Sequence, residues 1–287
     1  MIEAKYKLTE ESVVVNGKTL YRIEALRDFG DVKKGDKGGF VEKECNLSQK
    51  DSCWVYDNAK VYGKTEVSGN AKIHDNAIVC GNARIFDNAR IYGDTIVKGD
   101  AKVRGNAIVY DDAVVYGNAV VYNNAKVYGN AKVYSNAWIY GNVKIYGYAR
   151  VSGNVKVYGN AEVYDNALVY ANAVVCDDAK VYDYAVVYGN AEIFGNAEIL
   201  GNAEVFGNAR ICGNVEVCDN TDYIVFKNWW SSGRYFTWTR SNNMWKVGCF
   251  YGTGKELIEK AYKDSELSSR EYKRVVDYVN SILKGNK

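Results

Sequence analysis

The stretch GNAKVYSNAWIYGN, residues 129–142, contains one six-residue pattern twice: a Gly-Asn or Ser-Asn pair, an Ala, a variable residue, a Val or Ile, and a Tyr. Every sixth residue from 55 to 217 is Val or Ile, which makes 28 consecutive matches without an insertion. Most units have an Ala four residues after that position, and the exceptions are Thr65, Thr95, Val143, Val155, Val215 and Thr221. A fixed short period predicts a solenoid, because each unit buries its apolar side only by stacking on its neighbours.

Each unit is expected to form a short strand in which Ala and Val point inward and the variable residue and Tyr point outward. The Gly-Asn pair then turns the chain, because Gly and Asn both tolerate the left-handed backbone of a sharp corner. A two-residue corner after each four-residue strand predicts a coil rather than a stack of hairpins. If three units make one coil, residues 55–220 form about nine coils and a prism about 45 Å long, at roughly 4.8 Å per strand.

The aliphatic residue followed four places later by a small residue resembles the motif of the hexapeptide-repeat superfamily. That resemblance implies an all-β solenoid, specifically a left-handed parallel β-helix with three strands in each coil. The opening block KKGDKGGFVEKECNLSQKDSCWVYDNAKVYG, residues 33–63, also resembles the start of β-helix proteins encoded by phages and prophages of low-GC Gram-positive bacteria. This second likeness covers the whole chain and implies no assigned chemistry.

The chain is expected to have three parts: an N-terminal hairpin and cap (residues 1–50), a hexapeptide-repeat β-helix (51–220) and a C-terminal α+β module (221–287). Residues 13–25, VVVNGKTLYRIEA, predict a hairpin with its turn at Asn16-Gly17. Caps are expected at the ends of a solenoid because its end strands have open edges.

In the C-terminal part, TDYIVFKNWW, RYFTWTR and MWKVGCFYG predict three strands. Two helices are expected to begin at Thr253 and Ser268, since each of these residues has a Glu three places later. This small module has 12 Lys and Arg against 7 Asp and Glu. It is therefore the most basic part of the chain.

The overall composition excludes several classes of function. A net charge of +2 is too small to indicate a nucleic-acid or membrane partner. No signal peptide and no long apolar run are seen, so a cytoplasmic location is expected, in the host bacterial cytosol if the chain is phage-encoded. The seven Cys form no Cys-x-x-Cys pair and are expected to be reduced, and neither a metal site nor a cofactor is predicted.

The aromatic and basic residues of the C-terminal module are the candidate ligand site. Aromatic faces beside cations suit a planar anionic ligand such as a nucleotide. The residues in question are Trp229, Trp230, Arg234, Trp238, Arg240, Trp245 and Lys246. The alternative interpretation is that these large aromatics form the core of a small module.

An apolar stripe on one outward face is the candidate partner surface, since soluble proteins rarely expose long apolar patches. Its predicted members are Ile78, Ile96, Val114, Tyr116, Leu168, Tyr170, Val186 and Tyr188. The resemblance implies a homotrimer packed through this face, and docking of the chain's own terminal module is the alternative. The Tyr residues are expected to stack on one another along the sheet.

The charged outward residues also change sign along the axis. From residue 60 to 156 they are basic except Glu66, and from 162 to 216 they are mostly acidic, with Lys180 and Arg210 as exceptions. This gradient is compatible with end-to-end contacts, with an anionic partner on the N-terminal half, or with a plain solvated surface.

Catalysis is the less favoured hypothesis. The resemblance implies acyltransferases in which a His in an extruded loop is the base and coenzyme A lies between subunits, yet no loop interrupts the 28 units. His74 is the single His and the weak catalytic candidate, expected to face solvent with no orienting partner.

The favoured function is a non-enzymatic oligomeric binding protein that sequesters a nucleotide-like anion or a host protein as a counter-defence factor. A coenzyme A-dependent acyltransferase and a purely structural scaffold remain alternatives.

Overall fold

The computed structural model describes residues 4–285 of the chain, apart from the side chains of residues 264, 284 and 285. It is a parallel β-solenoid of about ten coils, followed by a small antiparallel sheet and two helices. The predicted solenoid with a C-terminal α+β module is thereby confirmed. Within the described residues, no helix is long and apolar enough to cross a membrane.

Three strands precede the regular repeat: β1 (Tyr6–Val15), β2 (Lys18–Ala25) and β3 (Lys37–Val41). The strands β4 to β31 then begin at intervals of six residues. In chain order they are Trp54–Val55, Lys60–Val61, Glu66–Val67, Lys72–Ile73, Ile78–Val79, Arg84–Ile85, Arg90–Ile91, Ile96–Val97, Lys102–Val103, Ile108–Val109, Val114–Val115, Val120–Val121, Lys126–Val127, Lys132–Val133, Trp138–Ile139, Lys144–Ile145, Arg150–Val151, Lys156–Val157, Glu162–Val163, Leu168–Val169, Val174–Val175, Lys180–Val181, Val186–Val187, Glu192–Phe194, Glu198–Ile199, Glu204–Val205, Arg210–Cys212 and Glu216–Val217.

Each strand from β4 to β28 pairs in parallel with the strand 18 residues later, so three units make one coil, as predicted. The coils build three flat faces. Face 1 contains every third strand from β5 to β29, face 2 every third strand from β4 to β31, and face 3 every third strand from β6 to β30. The inward Val, Ile and Ala side chains form one continuous apolar column that is fully buried along almost its whole length.

The corners differ from the prediction in one respect. Across residues 54–217 the left-handed backbone falls on the first corner residue alone, such as Gly153 at φ 87° or Asp165 at φ 52°. The Asn that follows has a different role: its side-chain NH₂ group donates a hydrogen bond to the side-chain oxygen of the Asn one coil further on. Asn70 donates to Asn88 at 3.0 Å, and Asn88 donates to Asn106 at 3.1 Å. Asn is therefore selected here for hydrogen-bonded ladders rather than for its backbone freedom.

The N-terminal hairpin forms with its turn at Asn16-Gly17, as predicted. Strand β3 pairs antiparallel with β2 and parallel with β5, so the parallel ladder of face 1 reaches back beyond residue 51. The hairpin also covers outward residues at this end of face 1. Leu20 packs there with Tyr62, and Ile78 lies partly buried against them.

The C-terminal module comprises β32 (Tyr223–Lys227), β33 (Tyr235–Thr239), β34 (Met244–Val247), β35 (Phe250–Gly252), α1 (Gly254–Asp264) and α2 (Glu266–Gly285). The third predicted strand is two strands, because the chain turns at Gly248 with φ 56°. The predicted cap at Thr253 is confirmed by its reciprocal hydrogen bonds with Glu256. The predicted start of the second helix at Ser268 is wrong. The helix begins at Glu266, since Ser265 Oγ accepts from the Ser268 N–H at 3.0 Å.

The C-terminal module, together with the short 3₁₀ helix Asn220–Asp222 before it, caps the last coil with side-chain oxygens, one on each face. The Glu204 N–H donates to Asn220 Oδ1 at 2.6 Å on face 1, and the Arg210 N–H donates to Thr237 Oγ1 at 2.8 Å on face 3. On face 2 the Glu216 N–H donates to a Ser hydroxyl of the β33–β34 turn at 3.1 Å. These bonds pair strand-edge donors that would otherwise be free to pair with another chain.

Candidate functional site

Two of the four predicted Trp residues lie in the core of the C-terminal module. Trp238 and Trp245 are 1% and 2% exposed and pack with Phe236 and Leu257. The Trp238 indole N–H donates to Asn243 Oδ1 at 2.9 Å. Their burial agrees with the alternative interpretation, in which these aromatics build the module, and leaves neither ring open for stacking on a ligand.

The other two Trp residues lie in the loop between β32 and β33. Trp230 is half-buried and stacks on Phe236 at 5.8 Å, whereas Trp229 is 79% exposed. The loop is held by the buried Asn228, whose Oδ1 accepts from the N–H groups of Trp230 and Ser231. Trp229 is thus displayed on a well-anchored loop.

The predicted cations separate in the structure. Arg234 and Lys246 lie where the module meets face 3, whereas Arg240 is exposed in the turn after β33. Strands β33 and β34 lie beside β30, which leaves a groove of about 320 Å³ between the solenoid and the C-terminal sheet. We call this the junction groove, and its lining residues include Asn190, Glu192, Asn208, Arg210, Arg234 and Tyr235.

Two cations meet one aromatic ring beside the junction groove. The Arg210 guanidinium lies 5.6 Å from the centre of the Phe194 ring, and the Lys246 ammonium lies 5.3 Å from the same centre. Arg210 Nη2 pairs with a Glu192 carboxylate oxygen at 2.8 Å, while its Nε is buried without a hydrogen-bond partner. Across residues 4–285 no ion pair is formed by Lys246 or Arg234. The groove therefore has more positive than negative charge.

The groove continues along face 3 as an open channel of about 440 Å³ past Tyr158 and Cys176. The thiols near it are poor nucleophiles. Burial raises the pKa of Cys212 to about 11, against the opposing influence of Lys246 and Arg210, and burial also raises the pKa of Cys176. Both thiols are therefore protonated at neutral pH, which does not favour covalent catalysis in this groove.

Phe194, Arg210 and Glu192 belong to the site but were not among the sequence candidates. One signal pointed to them: Arg210 is a cation in the acidic half of the solenoid. Its significance becomes visible only when the C-terminal sheet brings Arg234 and Lys246 to the same face.

His74 has closer neighbours than the sequence indicated. Its ring stacks on Tyr56 at 4.0 Å, and its Nδ1 lies 3.9 Å from an Asp57 carboxylate oxygen. Asp31 of the N-terminal cap accepts from the Tyr56 hydroxyl at 2.8 Å and pairs with Lys72 at 2.7 Å. His74 is 32% exposed at an outward position, as expected, whereas the expectation that it has no orienting partner is wrong, because Tyr56 and Asp57 of the preceding coil lie beside it. Burial holds the pKa of His74 below its usual range, so the imidazole is neutral at neutral pH.

The predicted apolar stripe lies on face 1 but is not continuous. Ile78 is partly covered by the N-terminal hairpin, a contact that neither interpretation of the stripe included. Further along, Lys132 and Arg150 stand between Val114 and Leu168. Two shorter patches remain, Ile96, Val114 and Tyr116 in one and Leu168, Tyr170, Val186 and Tyr188 in the other. A trimer through this face stays a prediction.

The predicted stacking of Tyr residues is confirmed. On face 2 six rings stack in succession at centroid distances of 4.7 to 5.0 Å, and they belong to Tyr92, Tyr110, Tyr128, Tyr146, Tyr164 and Tyr182. These rings contact one another face to face, so the ladder supports the sheet rather than offering open faces to a ligand.

Comparison with known proteins gives two partial matches. Residues 83–99 and 161–177 match the family model described as YdcK Beta solenoid repeat. A 73-residue alignment at 36% identity relates the chain to a protein of Escherichia coli (strain K12) named "Uncharacterized acetyltransferase YdcK". This alignment spans 22% of the present chain and 22% of that protein. The matched family model describes a β-solenoid repeat, in agreement with the three-strand coils of this chain. Neither segment of the family model includes His74, Phe194 or Arg210.

Proposed function

We propose that the protein binds a small anionic ligand with an aromatic ring, of the nucleotide type, in the junction groove. The observation that supports this proposal is the convergence of Arg210 and Lys246 on Phe194, with Arg234 lining the same groove. Pockets for small ligands begin at roughly 300 Å³, so the groove has room for one nucleotide. A larger ligand would extend into the channel along face 3.

The cations have complementary roles in this proposal. Arg234 and Lys246 form no ion pair within residues 4–285, so they can accept a phosphate without first breaking one. Each charge-assisted hydrogen bond to phosphate contributes about 1.5 to 3 kcal/mol. The Glu192 carboxylate repels a phosphate, but it also holds the Arg210 guanidinium in place through an ion pair of 2.8 Å. Tyr235 and the open part of Phe194 offer aromatic surface to the base.

In this proposal the protein binds its ligand without catalysing a reaction. The thiols near the groove and its channel, Cys212 and Cys176, are protonated and so are not activated nucleophiles, and the single His of the chain lies elsewhere. A protein that holds a nucleotide in this way removes it from solution. The resemblance to phage-encoded β-helix proteins extends the proposal to sequestration of a host nucleotide as a counter-defence factor.

Acetyl transfer is the second candidate, favoured by the similarity to the Escherichia coli protein and by the neutral imidazole of His74 beside Asp57. Coenzyme A contains an adenine nucleotide, so the junction groove suits part of it as well. However, His74 and Phe194 lie more than six coils apart along the sequence repeat, or about 32 Å at roughly 4.8 Å per coil. One acyl donor in the groove therefore does not bring its thioester to His74 of the same chain.

Isothermal titration calorimetry with AMP, ATP, a cyclic dinucleotide and coenzyme A tests the proposal. At least one of these is expected to bind, and Lys246→Ala is expected to weaken binding about tenfold, equal to about 1.4 kcal/mol. Lys126→Ala is the matched control, because Lys126 is an exposed Lys on face 2 and should leave affinity unchanged. Absence of binding by the whole panel, or equal affinities of the two variants, contradicts the proposal. Acetyl-coenzyme A turnover that disappears in His74→Ala would instead support the second candidate.

A further inference from the structure

We propose that strand β32 binds an extended peptide segment of a partner protein, which adds to the C-terminal sheet as one more strand. The segment that fits has an apolar side chain and, two residues away, a carboxylate. The unpaired edge of β32, the groove beside this edge and an unpaired cation at its end together support the assignment.

One edge of β32 has no neighbouring strand, because the sheet order is β32-β33-β34-β35. The Asn228 N–H donates to the Arg234 carbonyl oxygen at 2.7 Å. Near the other end of the strand, the Arg240 N–H donates to the Asp222 carbonyl oxygen, also at 2.7 Å. Backbone groups alternate in direction along an antiparallel strand, so the even-numbered residues face β33 and the odd-numbered residues face away. The N–H and C=O groups of Val225 therefore point to the open edge, and no group of residues 4–285 pairs with them there.

The edge strands β1 and β35 are better protected than β32. The pairing of β1 shifts register between Leu8 and Ser12, and Glu10 and Glu11 lie in the shifted stretch. β35 has only three residues, and α1 packs against it. β32, in contrast, pairs with β33 in one unbroken register over five residues and has no charged residue before its last one. A regular, uncharged edge pairs readily with a further strand.

A groove of about 500 Å³ runs along this edge, between β32 and the last coil of the solenoid, and we call it the edge groove. Its walls include Tyr223, Ile224 and Val225 of β32 and Phe206 and Asn208 of the last coil. The five residues of β32 span about 17 Å at roughly 3.4 Å per residue, a length that suits a short extended peptide. A second copy of the chain would bring its own last coil with its β32, and the groove has room for a strand but not for a coil.

The last coil offers the peptide an aromatic surface and a hydrogen-bond donor. Phe206 is 46% exposed and ends a stack of rings, with Tyr188 at 5.2 Å on one side. Its other side is open to an apolar side chain that points from the added strand towards the solenoid. Asn208 accepts from Asn190 at 3.5 Å, and its own NH₂ group donates to no group within residues 4–285. This NH₂ group is thus available to a peptide carbonyl.

Lys227 gives the edge a preference for an acidic residue. Its side chain lies on the same side of the sheet as that of Val225, since residues two apart in a strand share a face. The ammonium lies 6.0 Å from the centre of the Tyr235 ring and forms no ion pair in the part of the chain that the structure describes. A carboxylate opposite Lys227 therefore gains an ion pair without breaking one. The residue opposite Val225, two positions away on the added strand, is apolar.

Amide hydrogen exchange followed by NMR tests the open edge in the free protein. The Val225 N–H is expected to exchange at least about tenfold faster than the N–H groups of Ile224 and Phe226, which face β33. Equal protection of all three amides would mean that the edge is already covered, and this result overturns the proposal.

A library of random heptapeptides displayed on phage provides the probe for binding. Selection on the full chain is expected to give peptides with an apolar and an acidic residue two positions apart, and fluorescence polarisation then measures the affinity of one synthetic peptide. Phe206→Ala should weaken binding at least about tenfold. Phe86→Ala is the matched control and should leave the affinity unchanged, because Phe86 follows a buried Ile on face 3 as Phe206 follows a buried Val on face 1. An empty selection, or equal affinities of the two variants, overturns the proposal.

N-methylation of the peptide tests backbone pairing on wild-type protein, so the folding of a variant plays no part. Methyl groups on alternate amides should weaken binding at least about tenfold, and those on the amides between should have little effect. Equal tolerance at every position would show binding through side chains alone and overturn strand addition. A wild-type dimer that Val225→Pro dissociates would assign the edge to a second copy and overturn it as well, since Pro is tolerated on an edge strand. Peptide affinity is measured without nucleotide, so the result is independent of the proposed function.

Discussion

Replacement of Gly153 by Ala should destabilise the solenoid more than the same change at Gly207. Gly153 has φ 87°, and an added Cβ would lie 2.5 Å from the Ala171 carbonyl oxygen and 2.7 Å from its nitrogen. Corner residues that carry a side chain have smaller angles, for example 52° at Asp165 and 64° at Ala171. The variant must therefore change its φ and displace the backbone of the next coil.

The expected magnitude has two parts. A non-Gly residue in left-handed backbone costs about 1 to 2 kcal/mol, and overlap in a packed region adds about 1 to 3 kcal/mol. Gly207 has φ 69° with nothing within 4 Å of its added Cβ, so Gly207→Ala incurs only the first part. Urea unfolding followed by circular dichroism measures both free energies of unfolding. A difference below about 0.5 kcal/mol between the two variants would refute the assignment of close coil contact at Gly153.

Three further predictions concern the caps and the ladder. Thr253→Ala should cost about 1 kcal/mol of unfolding free energy through loss of the helix cap, and a wild-type urea midpoint would contradict this. The hydrogen bond from Lys18 is the chief reason that the pKa of Glu42 is lowered to about 2, so the ionised carboxylate stabilises the fold above the unfolded pKa of 4.5 and this stabilisation is lost as the pH falls towards 2. Glu42→Gln should therefore reduce the dependence of the melting temperature on pH over that range. An unaltered pH profile of the melting temperature would count against this assignment. Tyr128→Ala should lower the free energy of unfolding by about 0.5 to 1.5 kcal/mol more than Tyr134→Ala, because Tyr128 stacks on two rings and Tyr134 on one. Equal losses in the two variants would argue against a stabilising role of the stacked Tyr ladder.

The regular part of the fold follows from the repeat. A Val or Ile at every sixth position, with Ala two residues earlier in the strand, determines which side chains face inward and how strands align between coils. The hairpin at Asn16-Gly17 and the helix at Thr253 could also be predicted, because turn and cap residues act locally. These features depend on neighbours in sequence.

The parts that sequence reasoning missed depend on where non-repetitive segments dock. Nothing periodic connects Asp31 to Lys72, or Lys246 to Phe194, so neither contact could be predicted from spacing. Burial of Trp238 agrees with the alternative interpretation, since small modules need large aromatics in their cores. In the first two contacts a terminal segment folds against a face of the solenoid, and the contact partners are set by tertiary packing.

The central claim is that the junction groove holds an anionic nucleotide-type ligand. Native mass spectrometry of protein purified from cells, measured before and after addition of AMP, ATP and coenzyme A, tests it most directly. We expect each wild-type chain to retain a nucleotide-sized mass that denaturation releases, and we expect Lys246→Ala, but not Lys126→Ala, to retain less of it. A wild-type protein that remains free of small molecules at saturating concentrations of all three compounds would contradict it.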